Sequence, residues 1–187
     1  TDHGTIYWND IQYSKIPTYS IHRNVAYVSQ KPALFAGTIR SNLAIARENI
    51  SDEEMIEALK NAQAYEFVSK YEDGLDHIVE ENGSNFSGGQ KQRLLLARAF
   101  LQEGKLLLLD DSMSALDYLS EKKFLQAINK MDGITKVFVS QRVTSLMDCD
   151  TIYVMDAGSI IDSGTHDELM ERCAIYKDIY EMQVRSK

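Results

Sequence analysis

Cysteine is scarce in this sequence: Cys149 and Cys173 are the only two among 187 residues, and neither stands at a metal-ligand spacing. That excludes a disulfide scaffold and a cysteine-built zinc module, and leads us to expect two free thiols in a reducing compartment. No apolar run approaches the ~20 residues that a membrane-spanning helix needs. The opening residues do not read as a signal peptide, so a soluble cytosolic domain is expected. Basic charge is also in deficit, with 20 Lys and Arg against 28 Asp and Glu and a formal net charge of −8. A nucleic-acid partner, which calls for a basic face, is therefore not expected. The four histidines, His3, His22, His77 and His166, have no second ligand at metal spacing and read as surface or hydrogen-bonding residues. No internal repeat or low-complexity tract is present. What is present is globular: 44% hydrophobic and 26% charged residues, in a length suited to one domain with a sizeable core.

The hydrophobic pattern alternates between two periods. Thr5–Trp8 and Val25–Ser29 are short β-branched and aromatic runs bounded by turn formers, Thr1 to Gly4 being the first of these turns. Ser51 and Glu54 form a capping box ahead of Met55, Ile56, Leu59 and Ala62 at helical spacing. A second helical stretch covers Ala64–Tyr71. Between Thr38 and Phe86 nothing resembles a buried strand, so residues 38–86 are expected to be a helical subdomain inserted in an α/β body. Gln90–Gln102 predicts an apolar helix, and Leu106–Leu109 a strand buried on both faces. A helix over Tyr118–Met131 and a buried strand over Val137–Ser140 follow. Thr151–Met155 and Ser159–Ile161 predict a hairpin, and the capping box Thr165–Glu168 opens a C-terminal amphipathic helix. Strands alternating with helices predict a mainly parallel sheet.

Two segments carry chemistry. In Phe86-Ser87-Gly88-Gly89-Gln90, the glycines let the backbone approach a ligand closely, and the helix behind them aims free N–H groups and a positive dipole end outward. Ser87 can cap that helix or donate its hydroxyl to a phosphate oxygen. The leucine run ending in Asp110-Asp111 places carboxylates at the end of a strand, where open α/β sheets bind ligands and where Mg²⁺ can be held beside phosphates.

With its continuation Lys91-Gln92-Arg93 and Ala97-Arg98-Ala99, the first segment resembles the signature motif of the ATP-binding cassette (ABC) ATPases. The second, followed by Ser114-Ala115-Leu116-Asp117, resembles the Walker B aspartate, the catalytic position and the D-loop. Gln30, in Val28-Ser29-Gln30, stands where the family has its Q-loop glutamine, which senses Mg²⁺ and the γ-phosphate. Val79–Gly83 resembles the loop through which ABC exporters touch the coupling helices of their transmembrane domains, and Leu34–Leu43 is exporter-like too. The resemblance spans essentially the whole chain. It implies a P-loop NTPase-like α/β fold, ATP and Mg²⁺ as ligands, a second nucleotide-binding domain as partner, and a place at the cytoplasmic face of the cell membrane. It also implies nucleotide contacts from Gln30, Ser87, Gly88, Gly89, Gln90, Ser114 and Asp117, with Asp110 and Gln30 at the metal.

Two residues depart from the family's pattern and one motif is missing. Asp111 replaces the usual glutamate and is one methylene shorter, and a displacement of about 1 Å at a catalytic base costs ~100-fold in rate. Gln141, in Ser140-Gln141-Arg142, replaces the switch histidine and cannot be protonated near neutral pH. Together these catalytic-position changes resemble the degenerate site of heterodimeric exporters, in which Ser87–Gln90 would complete the partner's competent site. Third, no Gly-x-x-x-x-Gly-Lys-Ser/Thr sequence occurs, so the phosphate-wrapping Walker A loop has no candidate and the chain is expected to be a fragment. Two alternatives stand beside this reading. One is a hydrolytically competent ATPase of a homodimeric exporter using Asp111 as base. The other is a non-transport ABC ATPase, against which the absent coiled-coil insertion and basic surface both count. The 187-residue polypeptide by itself is expected to be inactive and to bind ATP very weakly; a micromolar dissociation constant in calorimetry is the opposite outcome.

Overall fold

In the computed structural model, which describes residues 3–185, the run Leu106–Leu109 lies in the middle strand of a parallel sheet. Thr1 and Asp2 of the expected opening turn lie outside the described residues. Strands β1 (Tyr7–Trp8) and β2 (Ile11–Gln12) make a small antiparallel hairpin. Helix α1 (Thr18–Asn24) starts at Pro17 and runs directly into β3 (Val25–Val28). β4 (Gly37–Thr38) leads into α2 (Ile39–Ala44) through a capping box between Thr38 and Ser41 that the sequence reading did not find. α3 (Asp52–Asn61) begins at the expected Ser51–Glu54 box. Such a cap is worth about 1 kcal/mol because it satisfies amides that the helix leaves unpaired.

Two expectations in this stretch need correction. The helical stretch Ala64–Tyr71 is only α4 (Tyr65–Val68), after which the chain continues as turns toward Gly74. A strand is also present between 38 and 86: β5 (Ile78–Val79) pairs antiparallel with β4, and Val79 is buried. Two residues are too few to show a period in the sequence.

The remaining elements are α5 (Gly88–Leu101), β6 (Leu106–Asp110), α6 (Tyr118–Asn129), β7 (Thr135–Val139), β8 (Ile152–Asp156), β9 (Ser159–Gly164), α7 (His166–Arg172) and α8 (Ala174–Arg185). The parallel sheet has the order β3-β6-β7, with Val28 opposite Leu109 and Asp110 opposite Val139. Its entry is tightly held. The Gln102 carboxamide donates to the carbonyls of His22 and Val25, each at 2.8 Å. A Cβ on Gly104 would stand 2.8 Å from the Asn24 carbonyl oxygen, so only glycine lets these two segments approach.

Helices α5 and α6 cover one face of the sheet, and Leu96, Ala99, Phe100, Leu107, Phe124, Ile128 and Met131 meet in one seam. The opposite face stays open, which overturns two burial expectations. In β6 only Leu107 and Leu109 are fully buried, while Leu106 and Leu108 are half-covered. β7 covers Thr135–Val139 and is an edge strand with Val137 and Val139 exposed. Apolar composition marks the strands but does not say which faces are covered. The expected C-terminal helix is likewise two helices, because Cys173 turns extended between α7 and α8.

A second cluster, of Val143, Ile152, Val154, Leu169, Cys173 and Tyr176, packs the β8–β9 hairpin against these last helices. Both cysteines are free thiols, Cys173 buried and Cys149 half-buried. Phe124 is 1% exposed, with its ring edge-on to Phe100 at 5.6 Å. Phe124→Ala is expected to lower the unfolding free energy by about 3–4 kcal/mol in urea titration, and Phe124→Leu by less than half as much.

Candidate functional site

Four of the residues singled out in the sequence lie at or just past the carboxyl ends of three adjacent parallel strands: Gln30 after β3, Asp110 and Asp111 at the end of β6, and Gln141 after β7. This is where a parallel α/β sheet offers its ligand crevice. Gln30 and Asp111 are in contact, with Gln30 Nε2 donating to Asp111 Oδ2 at 3.2 Å. Gln30 is steered from below by buried Gln92 of α5, whose Nε2 donates to the Ser29 carbonyl at 3.4 Å. Asp111 sits in the left-handed region (φ 44°), which aspartate tolerates better than most residues. Its amide extends the β6–β7 ladder by donating to the Val139 carbonyl at 2.8 Å.

Asp110 accepts a hydrogen bond from the Tyr27 hydroxyl at 3.1 Å. Tyr27 was not identified from the sequence. Its signal was strand alternation, since it points to the face opposite buried Ala26 and Val28, toward the open side where Asp110 ends β6. Among the described residues no cluster of three or more His, Cys, Asp or Glu could hold a metal ion by itself.

The Ser87–Gln90 turn lies at the start of α5, apart from the Gln30–Asp111 contact. It forms a reciprocal capping box: Ser87 Oγ accepts from the Gln90 amide at 3.3 Å, and Gln90 Oε1 accepts from the Ser87 amide at 2.9 Å. Gly88 faces open space, whereas a Cβ on Gly89 would come within 3.2 Å of the Ala115 carbonyl oxygen. The turn therefore packs against segment 114–117 of its own chain. Phe86, just before it, is held edge-on by the stacked pair of Tyr71 and His77, at 6.2 and 6.1 Å. Lys91, one turn into α5, donates from Nζ to the Asn82 carbonyl at 3.0 Å and so fastens the loop Val79–Gly83 to the same helix.

In segment 114–117 the polar side chains are occupied within the chain. The Ser114 hydroxyl donates to the Asp111 carbonyl at 2.8 Å. Asp117 caps α6, and hydrogen bonds from the Ser120 hydroxyl and amide hold its carboxyl below its ordinary pKa, with the charge of Arg93 adding to the effect.

Arg142 ties this segment to the Gln141 loop. Its guanidinium donates to the Ser114 and Leu116 carbonyls at 3.0 and 3.2 Å and pairs with Glu121, a buried carboxylate that also accepts from the Ser145 hydroxyl. Glu121 is another residue missed in the sequence. The signal was available, because Glu121, Phe124 and Ile128 share one helical face, so a carboxylate stands in an apolar stripe.

The family profile described as "ABC transporter" matches residues 1–114, and the chain belongs to that family. Among its relatives is an uncharacterized ABC transporter ATP-binding protein, YfiB, of Bacillus subtilis (strain 168), 41% identical over 182 residues, 97% of this chain. A putative export ATP-binding/permease protein of Rickettsia typhi (strain ATCC VR-144 / Wilmington), RT0691, is 40% identical over 98% of this chain. In both cases the chain spans 32% of the relative's length, and it spans 13% of ABC transporter B family member 2 of Dictyostelium discoideum, to which it is 39% identical. The solved structure of a bacterial Atm1-family ABC exporter with ATP bound superposes with a TM-score of 0.92 at 30% identity, over 97% of this chain and 32% of that one. The mixed α/β fold with its mainly parallel sheet is thus that of an ABC exporter's nucleotide-binding domain. No helix among the described residues is long and apolar enough to cross a membrane.

Arg142→Met removes the charged partner of a carboxylate whose side chain is 7% exposed and leaves it only the Ser145 hydroxyl. Because the arginine side chain itself keeps 41% exposure, the expected loss is about 2 kcal/mol in chemical denaturation, less than for a fully buried pair. Arg142→Met combined with Glu121→Leu is expected to regain most of it.

Proposed function

We propose that this chain works as the nucleotide-binding domain of an ABC exporter, at the cytoplasmic face of the membrane, in a two-domain sandwich with a second such domain. In this reading residues 1–187 are one such domain without its Walker A segment, and residues 38–86 are its helical subdomain. The observation that carries the proposal is the Gln30–Asp111 contact at the carboxyl ends of β3 and β6, with a Ser-Gly-Gly helix N-terminus on the neighbouring α5 whose Gly88 faces open space.

Asp110 and Gln30 take the metal side of the site. With Gln30 Nε2 engaged on Asp111, its Oε1 is left as an oxygen ligand beside the carboxylate end of β6. Two oxygen donors are too few for a protein-built cage, and they suit Mg²⁺, which keeps waters and brings nucleotide phosphates as its other ligands. Bound there, the ion would neutralise charge on the transferred phosphate. Asp111 takes the general-base position and Gln141 the γ-phosphate contact. Ser87, Gly88, Gly89 and Gln90 serve the partner's nucleotide: the Gly88 and Gly89 amides lack intrahelical acceptors and favour an anion, whereas the Ser87 and Gln90 amides are engaged in the capping box. Ser114 and Asp117 shape the segment that runs past the partner's site. The loop Val79–Gly83, fastened to α5 by Lys91, relays contact with the transmembrane coupling helices to that same turn.

The shortened carboxylate at 111 and the neutral amide at 141 make this chain's own site the degenerate one, and the intact Ser87–Gln90 turn completes the competent site in trans. Asp111→Glu in the full-length transporter tests this. Restoring the missing methylene is expected to raise ATP turnover at least ~10-fold. Unchanged turnover would favour instead a competent ATPase that already uses Asp111.

A further inference from the structure

Gln141 is held from a direction that its role in the site does not require. Gln183, on α8 more than forty residues downstream, uses both ends of its carboxamide on the backbone around it. Gln183 Oε1 accepts from the Val143 amide at 2.9 Å, and Gln183 Nε2 donates to the Gln141 carbonyl at 2.7 Å. The pairing copies the two-bond pattern between neighbouring strands, although no strand is there. On its other side the same loop is tied by Arg142 to the Ser114 and Leu116 carbonyls and to Glu121, and the Arg142 amide donates to Ser140 Oγ at 3.0 Å. The backbone on both sides of residue 141 is thus clamped while its own side chain stays exposed.

We infer that Gln183 is a positioning residue for the γ-phosphate contact of Gln141, so that the last helix of the chain sets how well this site tells ATP from ADP. The inference rests on the reading of Gln141 given above. The physical argument is one of directions. A carboxamide binding an amide and a carbonyl at once fixes both the distance and the rotation of the peptide units it bridges. A side chain that projects from those units inherits the constraint. α8 is held in turn by Tyr176, which is buried in the second cluster and whose hydroxyl meets His166 Nδ1 of α7 at 2.9 Å.

The test uses the full-length transporter and measures ATP and ADP separately, by competition against photolabelling of this subunit with a reactive ATP analogue. Gln183→Met keeps the length of the side chain and removes both hydrogen bonds. It is expected to lower the ATP-over-ADP preference about 10-fold, the size expected for losing one hydrogen bond to a charged group. ADP affinity should stay unchanged. Gln141→Ala should give the same loss, and the double variant no more than either alone, because the two residues act through one contact. Hydrogen exchange at the Val143 amide should quicken at least ~10-fold in Gln183→Met. Equal losses for ATP and ADP would mark Gln183 as merely structural and overturn the inference. So would an unchanged preference in Gln183→Met alongside a reduced one in Gln141→Ala, which would leave the reading of Gln141 standing. If Gln141→Ala itself has no effect, that reading and this inference fall together.

Discussion

Burial of α5 on all sides is the constraint from which the rest of the structure follows. Gln92, Leu94, Leu95, Leu96, Ala97, Ala99 and Leu101 are all removed from water, so the helix has no solvent face along its centre. The sheet lies against one side of it, and α2 and α3 against another. A helix held this way cannot slide or rotate without opening a cavity in a densely packed interior. Side chains on this helix and just past its end therefore serve as anchoring points for the neighbouring segments. Gln92 steadies the approach to Gln30, Lys91 the loop at 80–83, and Gln102 the entry of β3.

The two polar segments that stand out in the sequence are thus connected mechanically while facing different places. The carboxylates belong to the strand ends, together with Gln30. The Ser-Gly-Gly turn belongs to the end of α5 and rests on the carbonyl of Ala115. Between them runs segment 114–117, whose carbonyls are gripped by Arg142 from the Gln141 loop. Side chains at one site and backbone at the other therefore share a single short segment. That arrangement fits the proposal that the two motifs serve two nucleotides.

Much of this was legible in residue order. Ser51 with Glu54 and Thr165 with Glu168 announce helix starts because capping is a local exchange of hydrogen bonds within four residues. Leu106–Asp110 declares a strand ending in acid for the same local reason. Glu121 could have been found, as a carboxylate on the apolar face of α6, and Tyr27 as an outward residue on β3. Nothing comparable marks Gln183 or Arg142, since their partners are chosen by packing between segments far apart in the chain. The burial of β7 was misjudged because an apolar strand looks alike whether one face or two are covered. The single residue that splits α7 from α8 and the two-residue β5 fall below the length at which a period can be seen.

The sequence by itself determined the order of the elements, their caps, the family resemblance and the two changed side chains at 111 and 141. These are properties of composition and of spacings shorter than a helix. The tertiary structure alone decided which of those residues meet: Gln30 with Asp111, Tyr27 with Asp110, Arg142 with Glu121, and Gln183 with the backbone at 141 and 143. Such contacts depend on the register of β3 on β6 and on the fixed seat of α5. Both are set by the burial of apolar area over the whole domain, which no short stretch of sequence encodes.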